Sequence, residues 1–138
     1  MKAALEAGAA YFAIVFAVGF VLGAVRVLVL LPRLGEIGGV LVELPIMLAV
    51  SWFVCGWLVG RFSVRAAWGH RLAMGGMAFV LLMIAELGVS ILAFDRLVTE
   101  HLGAYRSWAP ALGLAAQLAF AAFPLLQRKG ARRPAAAG

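Results

Sequence analysis

Four polar residues lie inside stretches of this sequence that are otherwise as apolar as lipid: Arg26, Glu43, Glu86 and Gln117. An ionised side chain in hydrocarbon costs roughly 2.5–3.5 kcal/mol on insertion scales, so such groups usually face a partner or a water-filled cavity. Opposite charges can pair there, and a carboxylate that lacks a cation can bind a proton or an ion. These four residues are therefore the candidates for chemistry.

Counting along the chain places the four residues at a similar depth. Arg26 and Glu43 are equally distant from a turn expected at residues 34 and 35. Antiparallel helices would carry them to one level, on the order of 10 Å below the outer membrane boundary at 1.5 Å per residue. Glu86 and Gln117 each lie nine residues from the same end of their own apolar runs. The spacing predicts an intramembrane polar layer to which four helices contribute.

Two interpretations of this polar layer remain open. In the first, Arg26 and Glu43 only hold the first two helices together. In the second, the layer is a transport, ion or ligand site. One arginine can neutralise one glutamate, so the second carboxylate must be protonated, hydrated or matched by a group from outside the chain.

The elements that carry these residues are predicted to be membrane helices. The 138 residues are 65% hydrophobic and 13% charged, about half the charged fraction of an ordinary soluble domain. A membrane helix needs roughly 20 apolar residues, and four such runs occupy residues 9–31, 37–60, 72–94 and 108–126. We expect an all-α integral membrane four-helix bundle at residues 1–127, followed by a basic, disordered cytoplasmic tail at 128–138.

Basic residues predict the orientation of the bundle. The positive-inside rule places both termini and the second loop in the cytoplasm, and the flanking charges account for the net charge of +6 without nucleic acid. Aromatic residues near the ends of the runs are expected to be interfacial anchors. The basic residues on the cytoplasmic side are Lys2, Arg61, Arg65, Arg71, Arg128, Lys129, Arg132 and Arg133; those on the other side are Arg33, Arg96 and Arg106; the anchors are Tyr11, Trp57, Trp68, Tyr105 and Trp108.

Small residues at a spacing of four predict helix-packing surfaces. The pattern occurs in "GFVLG", in "GWLVG" and along the last apolar run. Part of it is predicted to face away from the polar layer, so we expect a second protomer or another membrane subunit to cover it. The residues are Gly19, Gly23, Gly56, Gly60, Ala111, Ala115 and Ala119.

Enzymatic chemistry has little support in the sequence. It contains no glycine-rich phosphate loop, no serine or cysteine nucleophile with a base, and no HExxH pattern. Cys55 is the only cysteine, and His101 is expected to lie in a solvated loop without further ligands. We therefore expect no catalytic residue, no metal site and no cofactor.

Two short resemblances involve the first helix. The string "GFVLGAVR" resembles the first-helix motif of the small dimeric fluoride channels, which are also four-span proteins of similar length. The chain departs from them at Glu43, where they carry a polar asparagine motif, and in "AFVLLMIAEL", which replaces their threonine- and phenylalanine-rich third helix. Small multidrug transporters also have four spans, but their essential glutamate lies in helix one, where this chain has Arg26.

Over its whole length the chain is similar to small bacterial inner-membrane proteins of unassigned function. The strings that carry this resemblance are "RVLVLLPRLGE", "VELPIMLAVSW" and "RLAMGGMAFVLLMIAEL". The resemblance implies a multi-pass protein of the bacterial inner membrane and brings no activity with it. We expect a non-enzymatic accessory or structural subunit of a homo-oligomer or larger membrane complex. The alternative is a small proton- or ion-coupled transporter or channel that uses the intramembrane carboxylates.

Overall fold

The computed structural model describes residues 1–95, 97–104 and 106–127. Every regular element in these ranges is a helix, which confirms the predicted all-helical class. The elements are α1 (Lys2–Val25), a π-helical turn (Arg26–Leu30), α2 (Leu31–Arg61), α3 (Trp68–Phe94), α4 (Val98–Ala104) and α5 (Trp108–Leu126). Arg96, Tyr105 and the predicted tail at 128–138 lie outside the described residues.

The first two long helices form a hairpin with a single-residue break at Gly35. Its backbone angles are φ 73° and ψ 177°, a conformation that glycine alone adopts without strain. Residues 31–34 extend the first helix, and residues 36–61 return beside it. The string "PRLGE" was expected to be a loop. The helix instead continues through this string as far as Gly35. Pro32 does not interrupt it, because Pro32 lies in the first turn of α2, where a missing N–H is tolerated.

Two helical stretches are long and apolar enough to cross a membrane by length and composition. They are Lys2–Arg61, which contains the break at Gly35, and Trp68–Ala93. A shorter apolar helix spans Pro110–Leu126. The number of membrane crossings stays a prediction.

The long helices pack as a ring in the order α1, α2, α5, α3. Helix α1 contacts α2 and α3, and α5 contacts the same two helices, so α1 and α5 lie across the diagonal. The main buried cluster lies at the end that holds the start of α1 and the end of α5. Its members are Ala4, Ala7, Tyr11, Val15, Cys55, Leu58, Val64, Met74, Ala78, Leu82 and Phe120.

Two glycines let α3 approach its neighbours at backbone distance. A Cβ added to Gly8 of α1 would lie 2.6 Å from the Met74 carbonyl oxygen. A Cβ added to Gly75 of α3 would lie 2.1 Å from the Ala121 carbonyl oxygen. Neither distance is possible for a real side chain, so the small residues set how closely these helices pack.

Two sequence interpretations are wrong at the buried end. Tyr11, expected to be an interfacial anchor, is fully buried, and its ring stacks on Phe120 with centroids 4.1 Å apart. Arg71, expected among the loop charges, lies near the start of α3, is fully buried, and donates from Nε to the Arg65 carbonyl 3.1 Å away. Hydropathy treats both residues as boundary markers, whereas tertiary hydrogen bonds allow both to be buried.

Replacing Gly75 with alanine is expected to destabilise the protein by about 1–3 kcal/mol, the usual range for overpacking. The new Cβ would meet a backbone carbonyl, which cannot move aside as a flexible side chain can. Thermal unfolding of the purified protein in detergent, followed by circular dichroism, measures the loss.

Gly76 provides the matched control, because a Cβ there meets nothing within 4 Å. Gly76→Ala should preserve or raise the unfolding midpoint, since alanine has the higher helix propensity. Equal midpoints for the two variants would contradict the close approach of α3 and α5.

Candidate functional site

Arg26 and Glu43 lie within ion-pair distance at the hairpin. The Arg26 Nε atom is 2.7 Å from Glu43 Oε2, and their side chains are 31% and 18% exposed. The Nε atom has no aligned hydrogen bond, so its N–H does not point at the carboxylate. The contact is therefore mainly electrostatic.

Local backbone features position this pair. Arg26 begins the π-helical turn, in which the Leu31 N–H bonds the Arg26 carbonyl, and such turns add a residue and often occur at functional sites. The arginine stem runs over Gly39, where an added Cβ would lie only 3.0 Å from Arg26 Cγ. Because Gly39 and Glu43 are one helical turn apart on one face, the missing side chain at Gly39 leaves the path to Glu43 open.

Glu86 and Gln117 join α3 to α5. The Gln117 Nε2 group donates a hydrogen bond to Glu86 Oε1. The same interface contains the close approach of Gly75 to the Ala121 backbone. Gln117 Oε1 is buried without a hydrogen-bond partner among the described residues, so the amide uses only part of its hydrogen-bonding capacity.

The two pairs lie on opposite sides of the helix ring. Arg26 and Glu43 connect α1 to α2, whereas Glu86 and Gln117 connect α3 to α5. Each pair joins helices that are direct neighbours. A single layer that includes all four residues stays a prediction.

Some of the predicted packing residues contact other helices of the chain. A Cβ on Gly19 would lie 3.2 Å from Met47 Cε, so this glycine packs inside the hairpin. A Cβ on Gly56 would lie 3.5 Å from Gln127 Oε1. The Gln127 Nε2 group donates to the Trp52 carbonyl at 2.8 Å, so Gly56 makes room for a contact between α2 and the end of α5.

Other predicted packing residues lie on more open surface. A Cβ on Gly23 or on Gly60 would meet nothing within 4 Å. Ala115 is exposed, and Ala111 and Ala119 are half-buried. These positions leave room for contacts beyond the chain itself.

The sequence interpretation missed a second set of polar groups, at the buried end of the bundle. The Tyr11 hydroxyl donates to the Phe120 carbonyl at 3.0 Å, and the buried Ser51 side chain interacts with the Tyr11 hydroxyl. Hydroxyl groups in an apolar run carry little weight in a hydropathy analysis. The proline at position 124, four residues after Phe120, was the one signal that could have pointed to this site.

The arrangement is suited to joining helices and to holding a charge or a proton. Within the described residues, no group of three or more histidine, cysteine, aspartate and glutamate side chains could hold a metal ion. His101, expected in a loop, lies in the short helix α4, and its side chain lies outside what the structure describes. The chemistry that the site offers is pairing between carboxylates, a guanidinium and an amide.

Arg26→Ala is expected to destabilise the protein by roughly 2 kcal/mol. Removing one partner of a fully buried pair costs about 3–5 kcal/mol because the other charge is left uncompensated, and the partial exposure of this pair lowers that cost. Protein abundance in membranes and the unfolding midpoint in detergent measure the effect. Arg33→Ala is the control, because Arg33 is an exposed arginine near the same hairpin. Equal losses for the two variants would contradict a specific role for Arg26.

Comparison with known proteins assigns no family to the chain. No protein-family model, curated protein or solved structure matches the chain. The resemblances of its helix strings therefore stay expectations, and the contacts among Arg26, Glu43, Glu86 and Gln117 are the basis for assigning a function.

Proposed function

We propose that the chain is a non-enzymatic, four-pass membrane protein that serves as a structural or accessory subunit of an assembly in the bacterial inner membrane. In this arrangement α1 with the π-helical turn, the returning part of α2, α3 and α5 each cross the bilayer once. Both termini are cytoplasmic, in agreement with the positive-inside rule. The assembly contains either further copies of this chain or other membrane subunits.

The exposed surface of the helices supports a membrane location. Large apolar side chains point outward on the long helices and on the π-helical turn, including Leu28 of the turn at 77%, Phe53 of α2 at 74% and Leu92 of α3 at 88% exposure. A soluble monomer rarely exposes contiguous apolar surface of more than a few hundred Å². Hydrocarbon or another membrane helix satisfies such surfaces, whereas water does not.

The contact between Arg26 and Glu43 is the observation that carries the structural role. It joins opposite charges on two apolar helices of the same chain at 2.7 Å. A charge that is paired within its own bundle holds two helices together. The open positions at Gly23, Gly60 and Ala115 then provide small-residue faces for partner helices.

Purification in mild detergent tests this proposal. The tagged protein should elute as a defined oligomer or with other membrane proteins in fixed ratio, because small-residue faces pack best against helices. Native mass spectrometry measures the composition. A monomer that copurifies with nothing, or a protein that alkaline carbonate releases from membranes, would contradict the proposal.

A second candidate function is proton- or ion-coupled transport through the Glu86 region. The observation that favours it is the partly satisfied contact in which Gln117, a neutral amide, donates to the Glu86 carboxyl and leaves its own Oε1 without a partner. A polar group with incomplete hydrogen bonding in a low-dielectric interior lowers stability. A transport role for Glu86 and Gln117 would explain why the chain carries such a group.

Glu86→Gln distinguishes the two functions. The glutamine keeps the shape of the side chain and an oxygen that can accept from Gln117, so the unfolding midpoint should change by less than the equivalent of about 1 kcal/mol. Under the structural proposal the variant assembles as the wild-type protein does. Loss of a proton flux that wild-type proteoliposomes show, with folding and assembly unchanged, would favour transport instead.

A further inference from the structure

One carbonyl of α5 lacks its normal helical donor. In an α-helix the carbonyl of residue i accepts from the N–H of residue i+4, and four residues after Phe120 the chain has Pro124. Proline has no N–H, and its ring displaces the preceding turn. The Phe120 carbonyl therefore needs a donor from elsewhere, because an unsatisfied backbone group in an apolar interior costs several kcal/mol.

The donor present in the structure is the hydroxyl of Tyr11. It lies 3.0 Å from the Phe120 oxygen, and the bond is buried. The two rings stack at 4.1 Å with an interplanar angle of 24°, which fixes the direction of the phenol. Ser51 of α2 is buried, and its side chain interacts with the same hydroxyl. One hydroxyl thus connects α1, α2 and α5.

The neighbouring backbone is arranged around the same break. A Cβ on Gly75 of α3 would lie 2.1 Å from the Ala121 oxygen and 3.6 Å from Pro124 Cγ. Glycine at this position therefore gives room to the displaced turn and to the proline ring. All four long helices contribute to the region where α5 is interrupted.

We propose that the Tyr11 hydroxyl replaces the amide donor that Pro124 lacks, and that this bond locks α1 to α5 and keeps the buried end of the bundle closed. The bond joins α1 to α5, which lie on opposite corners of the helix ring, whereas the packing of neighbouring helices does not join these two directly. Separation of α1 from α5 would leave the Phe120 carbonyl without a donor. The lock is independent of whether the chain is a structural subunit or a transporter.

The single cysteine of the chain reports on this lock. Cys55 is fully buried in the same cluster as Tyr11 and Phe120, so a maleimide reaches it only when this end of the bundle opens. Its rate of reaction with N-ethylmaleimide in the folded, detergent-solubilised protein can be followed by mass spectrometry. Tyr11→Phe should raise that rate at least about fivefold, the change expected from the loss of one neutral hydrogen bond, and more because the buried Phe120 carbonyl is left without a donor.

A double variant shows whether Tyr11→Phe acts through the loss of its hydrogen-bond donor or through a change in packing. Pro124→Ala gives α5 its own N–H at this position, so adding Tyr11→Phe in that background should raise the Cys55 labelling rate less than about twofold. Pro45→Ala is the matched control, because Pro45 is the proline inside α2. In the Pro45→Ala background the effect of Tyr11→Phe should keep its full size.

Two labelling results would overturn the proposal: an equal effect of Tyr11→Phe with and without Pro124, and no effect of Tyr11→Phe in the wild-type chain.

Folding gives a further test. If Tyr11→Phe alone fails to fold, the double variant with Pro124→Ala must fold, since the backbone donor is restored. A double variant that also fails to fold, or a Pro124→Ala protein that fails by itself, contradicts the role assigned to Tyr11.

Discussion

A polar group on an apolar helix has to be satisfied by another part of the chain, because hydrocarbon offers it no partner. Three contacts among the described residues illustrate this constraint. Arg26 meets Glu43 across the hairpin, Gln117 donates to Glu86 between α3 and α5, and Tyr11 donates to a backbone carbonyl of α5. Each contact joins two different helices, so meeting the constraint also defines which helices are held together.

Close packing makes these polar contacts possible. Gly39 leaves room for the arginine stem, and Gly75 lets α3 approach the interrupted part of α5. In the membrane location proposed for this protein, no hydrophobic driving force acts between helices, and backbone proximity and interhelical hydrogen bonds become the main sources of specific association. Small residues and polar residues therefore work together here, the former by setting the distance between helices and the latter by fixing their register.

Part of this structure could be predicted from the sequence. Charge composition and apolar run length indicate helices, and counting from the turn places Arg26 and Glu43 at one level, as their 2.7 Å contact shows. Counting also places Glu86 and Gln117 at matching positions on their helices. These successes rest on the regular rise and rotation of an α-helix, which sequence spacing reports directly.

The remainder depends on departures from that regularity or on tertiary contacts. The π-helical turn at Arg26 has no periodicity that marks it, and the turn expected at residues 34 and 35 is confined to a one-residue break at Gly35. Tyr11 is buried with a hydrogen-bond partner on the distant helix α5, and Arg71 is buried with a carbonyl partner six residues earlier, at Arg65. Hydropathy assigns such residues to the ends of the spans because it takes no account of tertiary hydrogen bonds.

The central claim is that opposite charges on the two arms of the hairpin stabilise this fold by pairing with each other. The most direct measurement is the stability of a charge-swapped protein, Arg26→Glu with Glu43→Arg, beside each single reversal. Thermal unfolding in detergent should show large losses for both single variants, which place like charges together, and recovery of most of the wild-type midpoint in the double variant. Single reversals that cost nothing, or a double variant no more stable than the singles, would contradict the account.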